Sequence, residues 1–362
     1  MSYIPIAKPE ISFHEIVNVI KVLRSGNLAQ GPEVKKFEDK FSKYLNDQPV
    51  VAVNSGTSAL LVSLLSLGIK TGDEVLVPSF SFAASANAIA LTGATPIFVD
   101  INNQTYNLDP KRLKEKISEK TRAILVVHLY GLPADMVTIM KFARENQLLV
   151  VEDCAQAHLA AIDGTPSGTF GDASAFSFYP TKNMTTGEGG VATFKSENHA
   201  RTARLLRNQG MEKRYYNEII GFNLRMTDIA AAIGLAQLKK IEKWTEGRRK
   251  NAAYFNSNLD VAITPFVPEG FSHSYHQYTI RVTNNKRNLL QQHLEIQGIG
   301  SNIYYPTLIH ELPAYNQSLQ LPESKKATEE VLSIPIYPQL RKKSLEKIKN
   351  QINLFFEKIS NE

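Results

Sequence analysis

The first half of this 362-residue chain alternates short apolar runs with longer helical stretches, and that alternation restricts the fold more than any other feature. Val50–Val53, Glu74–Val77, Pro96–Asp100, Ala123–His128 and Leu148–Glu152 are brief, rich in Val and Ile, and read as buried strands. Ala173–Phe178 and Gly190–Phe194 add two more. Segments such as Ser58–Leu67 and Asp135–Glu145 are long enough to be crossover helices. This pattern predicts an α/β fold, a mostly parallel seven-stranded sheet sandwiched by helices. The last two runs are joined by a loop without a crossover helix, which predicts an antiparallel strand at one edge.

The pattern changes after Glu197. A helix through His199–Arg207 precedes a polar, aromatic loop, Met211–Asn223, and then a long helical region from Thr227 to about Phe255. The irregular, proline-containing Val261–Pro268 marks a domain boundary. Beyond it Tyr278–Val282 reads as a strand and Asn288–Gln297 as a helix closed by Gly298. Ser344–Ile359 reads as an amphipathic helix with Leu345, Ile348, Ile352, Phe355, Phe356 and Ile359 on one face. Two domains are expected: residues 1–260, large and α/β, and residues 261–362, smaller and α+β, with the N-terminal segment packed on the smaller one.

Composition excludes several classes. Hydrophobic residues at 43% and charged residues at 21% are those of a globular protein. A single cysteine rules out a disulfide framework and a cysteine-based metal centre, and no metal is expected. The start, MSYIPIAKPEISF, lacks the basic flank and apolar core of a signal peptide, and no apolar stretch is long enough to span a bilayer. The expectation is a cytoplasmic protein without membrane contact. The net charge of +6 raises the question of nucleic acid. Nine basic and five acidic residues lie in Met211–Lys250, and six basic and three acidic in residues 341–362. Neither cluster interleaves aromatics and glycines as an RNA-binding module does, so the surplus is read as solvated helix faces, part of which could frame a small polyanion.

Three motifs carry chemistry. In Val53-Asn-Ser-Gly-Thr-Ser-Ala-Leu-Leu61 a strand ends, Ser55-Gly56-Thr57 turns, and a helix begins. Free N–H groups and the positive dipole end of such a helix suit a phosphate, although Ser and Thr there also serve as ordinary caps. In Val150-Val-Glu-Asp-Cys-Ala-Gln-Ala-His158, Asp153 stands at the carboxyl end of a buried strand, where open α/β sheets bind ligands. Cys154 beside it is a packing residue. In Ser177-Phe-Tyr-Pro-Thr-Lys-Asn-Met-Thr-Thr-Gly-Glu-Gly-Gly190, Lys182 is flanked by Phe178, Tyr179 and Met184. Partial desolvation there would lower its pKa and make it a nucleophile toward an aldehyde, with the Ser177 hydroxyl in reach. An anion cradle, a strand-end carboxylate and a desolvated lysine together meet the needs of pyridoxal 5'-phosphate.

With these blocks, and with Gly221-Phe-Asn-Leu-Arg-Met-Thr-Asp228 and Tyr305-Pro-Thr-Leu-Ile-His310, the sequence resembles the DegT/StrS type of sugar aminotransferase, a family of pyridoxal phosphate fold type I. The resemblance runs from Ile4-Pro5 to Ile334-Pro-Ile. It implies that Lys182 links to the cofactor aldehyde and shuttles the substrate proton, that Asp153 pairs with the pyridine nitrogen, and that Gln156 bonds the phenolic oxygen. Gly56, Thr57 and Ser177 would hold the phosphate. Phe82 falls where the family stacks an aromatic on the cofactor ring, with plain core as the equal alternative. Asn223 would reach the phosphate of a neighbouring subunit, making a homodimer with shared active sites, and Arg214 and Tyr215 would line the partner's sugar-nucleotide site. His158 and His310 are further candidates on the substrate side.

The implied reaction is ping-pong transamination from glutamate to a keto-sugar nucleotide, of the 3- or 4-keto-6-deoxy hexose type, in amino-sugar and polysaccharide biosynthesis. One alternative is a sugar dehydratase, but dehydrating relatives carry histidine in place of the lysine, and Lys182 is present. Another is a glutamine-dependent aminocyclitol aminotransferase. A non-catalytic binding protein would need a broken site, and every carried-over position is intact.

Overall fold

The computed structural model describes residues 3–259 and 262–360. Seven strands form the central sheet: β1 (Val50–Val53), β2 (Glu74–Pro78), β3 (Thr95–Val99), β4 (Thr121–Val127), β5 (Leu149–Asp153), β6 (Ala173–Ser177) and β7 (Gly190–Phe194). Their spatial order is β1-β7-β6-β5-β4-β2-β3. Strands β2 to β6 pair in parallel, while β7 is antiparallel to both β6 and β1. The antiparallel strand is therefore not at the edge, as the sequence suggested, but next to it. The outermost place goes to β1, which by pairing with β7 regains the direction of the parallel strands.

Both faces of the sheet are covered, as the near-continuous apolar runs require. Val51 and Val53 of β1 face one side, with Val75 and Val77 of β2, and pack under the helices Gly56–Ser66, Ala84–Leu91 and Glu197–Arg207. On the other side Val50 and Ala52 meet Phe37, Phe41 and Leu235, while Leu76, Ile124 and Val150 meet Met136 and Ile139 of the helix Met136–Glu145. The exposed edge of β1 is closed by side chains. Glu38 Oε1 accepts from Ala52 N at 2.8 Å, and Arg207 Nη1 donates to Ala52 O at 2.7 Å and to the same Glu38 oxygen at 2.6 Å. A buried ion pair thus takes the ladder partners that Ala52 on the edge strand would otherwise lack.

The helical region after Thr227 is two helices, Asp228–Leu238 and Ile241–Asn256, broken at Lys239–Lys240. A second apolar cluster joins Phe255 to the antiparallel strands Tyr278–Arg281 and Val331–Ile334 and to the terminal helix Lys342–Ser360. In that helix Leu345, Ile348, Ile352 and Phe355 are buried and Phe356 packs at the margin; the Ile359 side chain lies outside the described residues. Ile4 belongs to the same cluster, with its N–H donated to Gly298 O at 2.9 Å. The expected division at residues 260 and 261 also falls outside the described residues. The segment after Asn302 returns to the sheet: Leu308 and Ile309 join its core, and Ile309 N donates to Ser79 O at 3.0 Å. That return places Tyr304 and Tyr305 over the ends of the strands.

Candidate active site

The six co-directional strands deliver their carboxyl ends to one rim of the sheet. A cavity of about 390 Å³ opens there, lined by Ser55–Thr57 after β1, Ser81 and Phe82 after β2, Val127 of β4, Asp153 of β5 and Ser177 of β6. Lys182 enters from the loop after β6, and His276, Gln277, Tyr304 and Tyr305 close the far wall. Topology thus gathers residues more than 200 positions apart, where open α/β sheets bind ligands.

One end is built for an anion. Ser55 caps the helix Gly56–Ser66, its hydroxyl accepting from Ser58 N at 3.1 Å, and the N–H groups of Gly56 and Thr57 have no acceptor among the described residues. Gly56 is required by space: a Cβ there would stand 2.7 Å from Ser177 Cβ. At the other end Asp153 accepts from Ser85 Oγ at 2.8 Å and from Ala155 N at 3.1 Å. Burial raises its pKa above the ordinary value, while Ser85, Ala155 and the Lys182 charge pull the other way. Between the ends lies Lys182, whose pKa burial pushes down to about 8 against the opposing Asp153 carboxylate. An amine near neutrality can both attack a carbonyl and carry a proton at physiological pH.

The Gln156 amide is fixed on both sides. Its Oε1 accepts from Tyr130 N at 2.6 Å, and its Nε2 donates to Tyr305 Oη at 3.1 Å. Phe82 is 61% exposed at the cavity wall, with its ring 6.1 Å from that of Tyr305, so it is not plain core. An anion cradle with no room for a Cβ, an aromatic wall, a buried carboxylate and a desolvated amine fit pyridoxal phosphate, whose phosphate, ring, ring nitrogen and aldehyde each need one of these.

The cavity therefore unites Gly56, Thr57, Phe82, Asp153, Gln156, Ser177 and Lys182. It leaves out the other five candidates. His158 lies behind β6 at 2% exposure, its ring 5.4 Å from Phe176 and 5.7 Å from Phe178, and burial lowers its pKa to about 3. The turn after Cys154 carries it under the sheet, so it packs rather than faces substrate. His310 is also buried, Nδ1 2.7 Å from Ser79 Oγ, in the anchor that docks the Leu308–Glu311 turn. It is a structural tie and not part of the lining. Asn223 is exposed in a bridge to Asn208, and Arg214 stacks over Tyr215, 4.8 Å to the ring centroid, on a protruding hairpin. These three stand apart from the chain's own cavity.

Sequence reasoning missed Ser85, His276, Gln277 and Tyr304. Ser85 lies three residues after Phe82, but nothing local shows which serine of a helix start meets a carboxylate 68 positions away. A second cluster, His128, Glu152 and Cys154, gathers metal-type donors close together. Its carboxylate is already filled by His128 Nε2 and by Gly168, Phe170 and Gly171 N–H groups at 2.7–2.9 Å, so it serves as an internal brace.

Known proteins agree with this geometry. The model of the DegT/DnrJ/EryC1/StrS aminotransferase family matches residues 9–353. A pleiotropic regulatory protein of Geobacillus stearothermophilus is 37% identical over 94% of each chain. The GDP-perosamine synthase of Escherichia coli O157:H7 is 36% identical over 98% of this chain and 99% of its own. The crystal structure of NtdA from Bacillus subtilis with bound cofactor PMP is 31% identical, with a TM-score of 0.91 over 98% of this chain and 85% of that one. The chain belongs to the DegT/DnrJ/EryC1/StrS aminotransferase family and is a pyridoxal phosphate-dependent aminotransferase.

Proposed function

We propose that this chain moves an amino group from glutamate to a nucleotide-linked 3- or 4-keto-6-deoxy hexose, in ping-pong order, for amino-sugar and polysaccharide biosynthesis. The observation that carries the reading is Lys182 and Asp153 sharing one cavity with an intact anion cradle. When bound, the cofactor supplies an electron sink for the carbanion formed beside the transferred nitrogen. The protein supplies the rest. Gly56 and Thr57 N–H groups and the Ser177 hydroxyl hold the phosphate, the Asp153 carboxylate pairs with the ring nitrogen, and Gln156 Nε2 donates to the phenolic oxygen. Phe82 covers the ring and keeps water from it. Lys182 Nζ would take the proton from the substrate carbon and return it on the far side of the transferred nitrogen. An amine at this position argues against dehydration.

The reading includes a homodimer. Phe13, Ile16, Ile20 and Leu23 expose an apolar stripe on the helix Phe13–Ser25, and Tyr215, Tyr216 and Ile220 are exposed around the Met211–Asn217 hairpin. A second copy covering these surfaces would bring Asn223, Arg214 and Tyr215 to the partner's cavity and give part of the basic surplus a sugar-nucleotide diphosphate to meet. A division near residue 260 and a cytoplasmic setting belong to the same reading. No described helix is long and apolar enough to cross a membrane. The test is spectroscopic. Glutamate in single-turnover amounts should bleach the visible band of the purified holoenzyme, and the right keto-sugar nucleotide should restore it. Bleaching by glutamine alone refutes the donor, and transamination surviving in Lys182→Ala refutes the site.

A further inference from the structure

The Gln156 amide owes its orientation to a turn that does not line the cavity. Tyr130 N donates to Gln156 Oε1 at 2.6 Å, and a backbone N–H can only donate, so Oε1 is tied to the turn. Nε2 then faces Tyr305 in the cavity wall. It carries two hydrogens: one goes to Tyr305 Oη at 3.1 Å, and the other has no acceptor among the described residues. Tyr130 offers its N–H from an unusual backbone state. Its φ is 59° and its ψ −1°, a left-handed conformation that a bulky residue avoids and that persists only where the surroundings over-determine it. Asn107, buried on the loop after β3, supplies three such constraints. Its Oδ1 accepts from Leu129 N at 2.8 Å, and its Nδ2 donates to Leu132 O at 3.0 Å and to Pro133 O at 3.1 Å, so one side chain clamps both ends of the turn. His128 closes the base, with Nδ1 accepting from Ala134 N at 3.0 Å, and the Tyr130 hydroxyl donates to Tyr304 O.

We propose that Asn107 is a positioning residue for the cofactor site: by clamping the 129–133 turn it holds the Tyr130 N–H on Gln156 Oε1 and so keeps the free Gln156 Nε2 hydrogen for the phenolic oxygen of the cofactor. The role rests on Gln156 donating to that oxygen in the proposed function. An amide without the clamp can present either its nitrogen or its oxygen, and the oxygen would set acceptor against acceptor. The turn removes that choice before the cofactor arrives.

The test has two readouts. In cofactor-free protein labelled with nitrogen-15 tyrosine, the Tyr130 amide is assigned by the loss of its signal in Tyr130→Phe. It should exchange with solvent slowly in the wild type and roughly tenfold faster or more in Gln156→Leu and in Asn107→Ala, with far-UV circular dichroism intact. The Gln156→Leu comparison leaves the clamp itself untouched and stands whether or not Asn107→Ala folds. In the holoenzyme a donor on the phenolic oxygen favours its ionised form, so loss of that donor should raise the pH midpoint of the visible band. Gln156→Leu should raise it by about one unit, Asn107→Ala by part of that, and the double variant no further than Gln156→Leu alone. A Tyr130 amide equally protected in the wild type and Gln156→Leu, an Asn107→Ala midpoint equal to that of the wild type, or additive shifts in the double variant overturns the proposal. A midpoint unmoved in Gln156→Leu overturns the role of Gln156 in the functional reading instead.

Discussion

Ser85→Ala isolates the electrostatics of the buried carboxylate. Asp153 has one oxygen on Ala155 N and the other on the Ser85 hydroxyl at 2.8 Å. Removing the hydroxyl strips a charged acceptor of one of its two bonds. A hydrogen bond to a charged group contributes about 1.5–3 kcal/mol, and one pH unit corresponds to about 1.4 kcal/mol, so the Asp153 pKa should rise by roughly one to two units. The direction has a consequence for stability. Burial already raises Asp153 above its ordinary 3.8, so the folded state binds more protons than the unfolded one between those two values. Asp153 therefore lowers stability as pH rises through that window, and Ser85→Ala extends the window upward. The variant should be further below wild type at pH 7 than at pH 4. Carbon-13 titration of labelled aspartate in the cofactor-free protein, assigned with Asp153→Asn, reads the shift, and thermal melts at the two pH values read the linkage. A Ser85→Ala protein in which Asp153 titrates unchanged would refute the claim that this hydroxyl holds the carboxylate ionised.

Three other outcomes follow from the same structure. Gly56→Ala puts a methyl 2.7 Å from Ser177 Cβ, and equilibrium dialysis should show cofactor affinity falling at least tenfold with far-UV circular dichroism intact. Glu38→Ala leaves Arg207 and the edge of β1 without their shared partner, and urea unfolding should show a loss of about 3–5 kcal/mol, whereas an exposed pair such as Lys35–Asp39 should cost less than about 1 kcal/mol. Glu15 is the third case: burial works to raise its pKa, but Lys240 and Ser12 bring it down to about 2. A depressed folded value stabilises above the unfolded pKa and is lost as pH falls toward 2, so the melting-temperature gap between wild type and Glu15→Gln should narrow from pH 6 to pH 2.

Much of this protein is legible in one dimension because its signals are local. Val50–Val53 and Gly190–Phe194 read as strands with the bounds observed, since a buried strand needs only a short apolar run and something to end it. The places of Gly56, Asp153 and Ser177 were readable for a related reason: each sits at a strand end or in the turn after one, and a parallel sheet sends all such ends to one rim. Phe82 and Gln156 were picked out only through the family resemblance. The rest depends on distances that sequence does not encode. Which strand lies outermost depends on pairing partners: at the edge, β1 is closed by Glu38 and Arg207, 169 positions apart, and by a backbone bridge from Val53 to Arg225. His158, His310 and His276 carry the same imidazole and all three are buried, and only the path of the chain packs the first two away from the cavity and puts the third in its wall. Local sequence thus determined the strands, the turn at Ser55–Thr57 and the places of Asp153 and Lys182 along the chain. Tertiary packing decided which polar groups meet the cavity, because desolvation and hydrogen-bond partners are properties of neighbours in space.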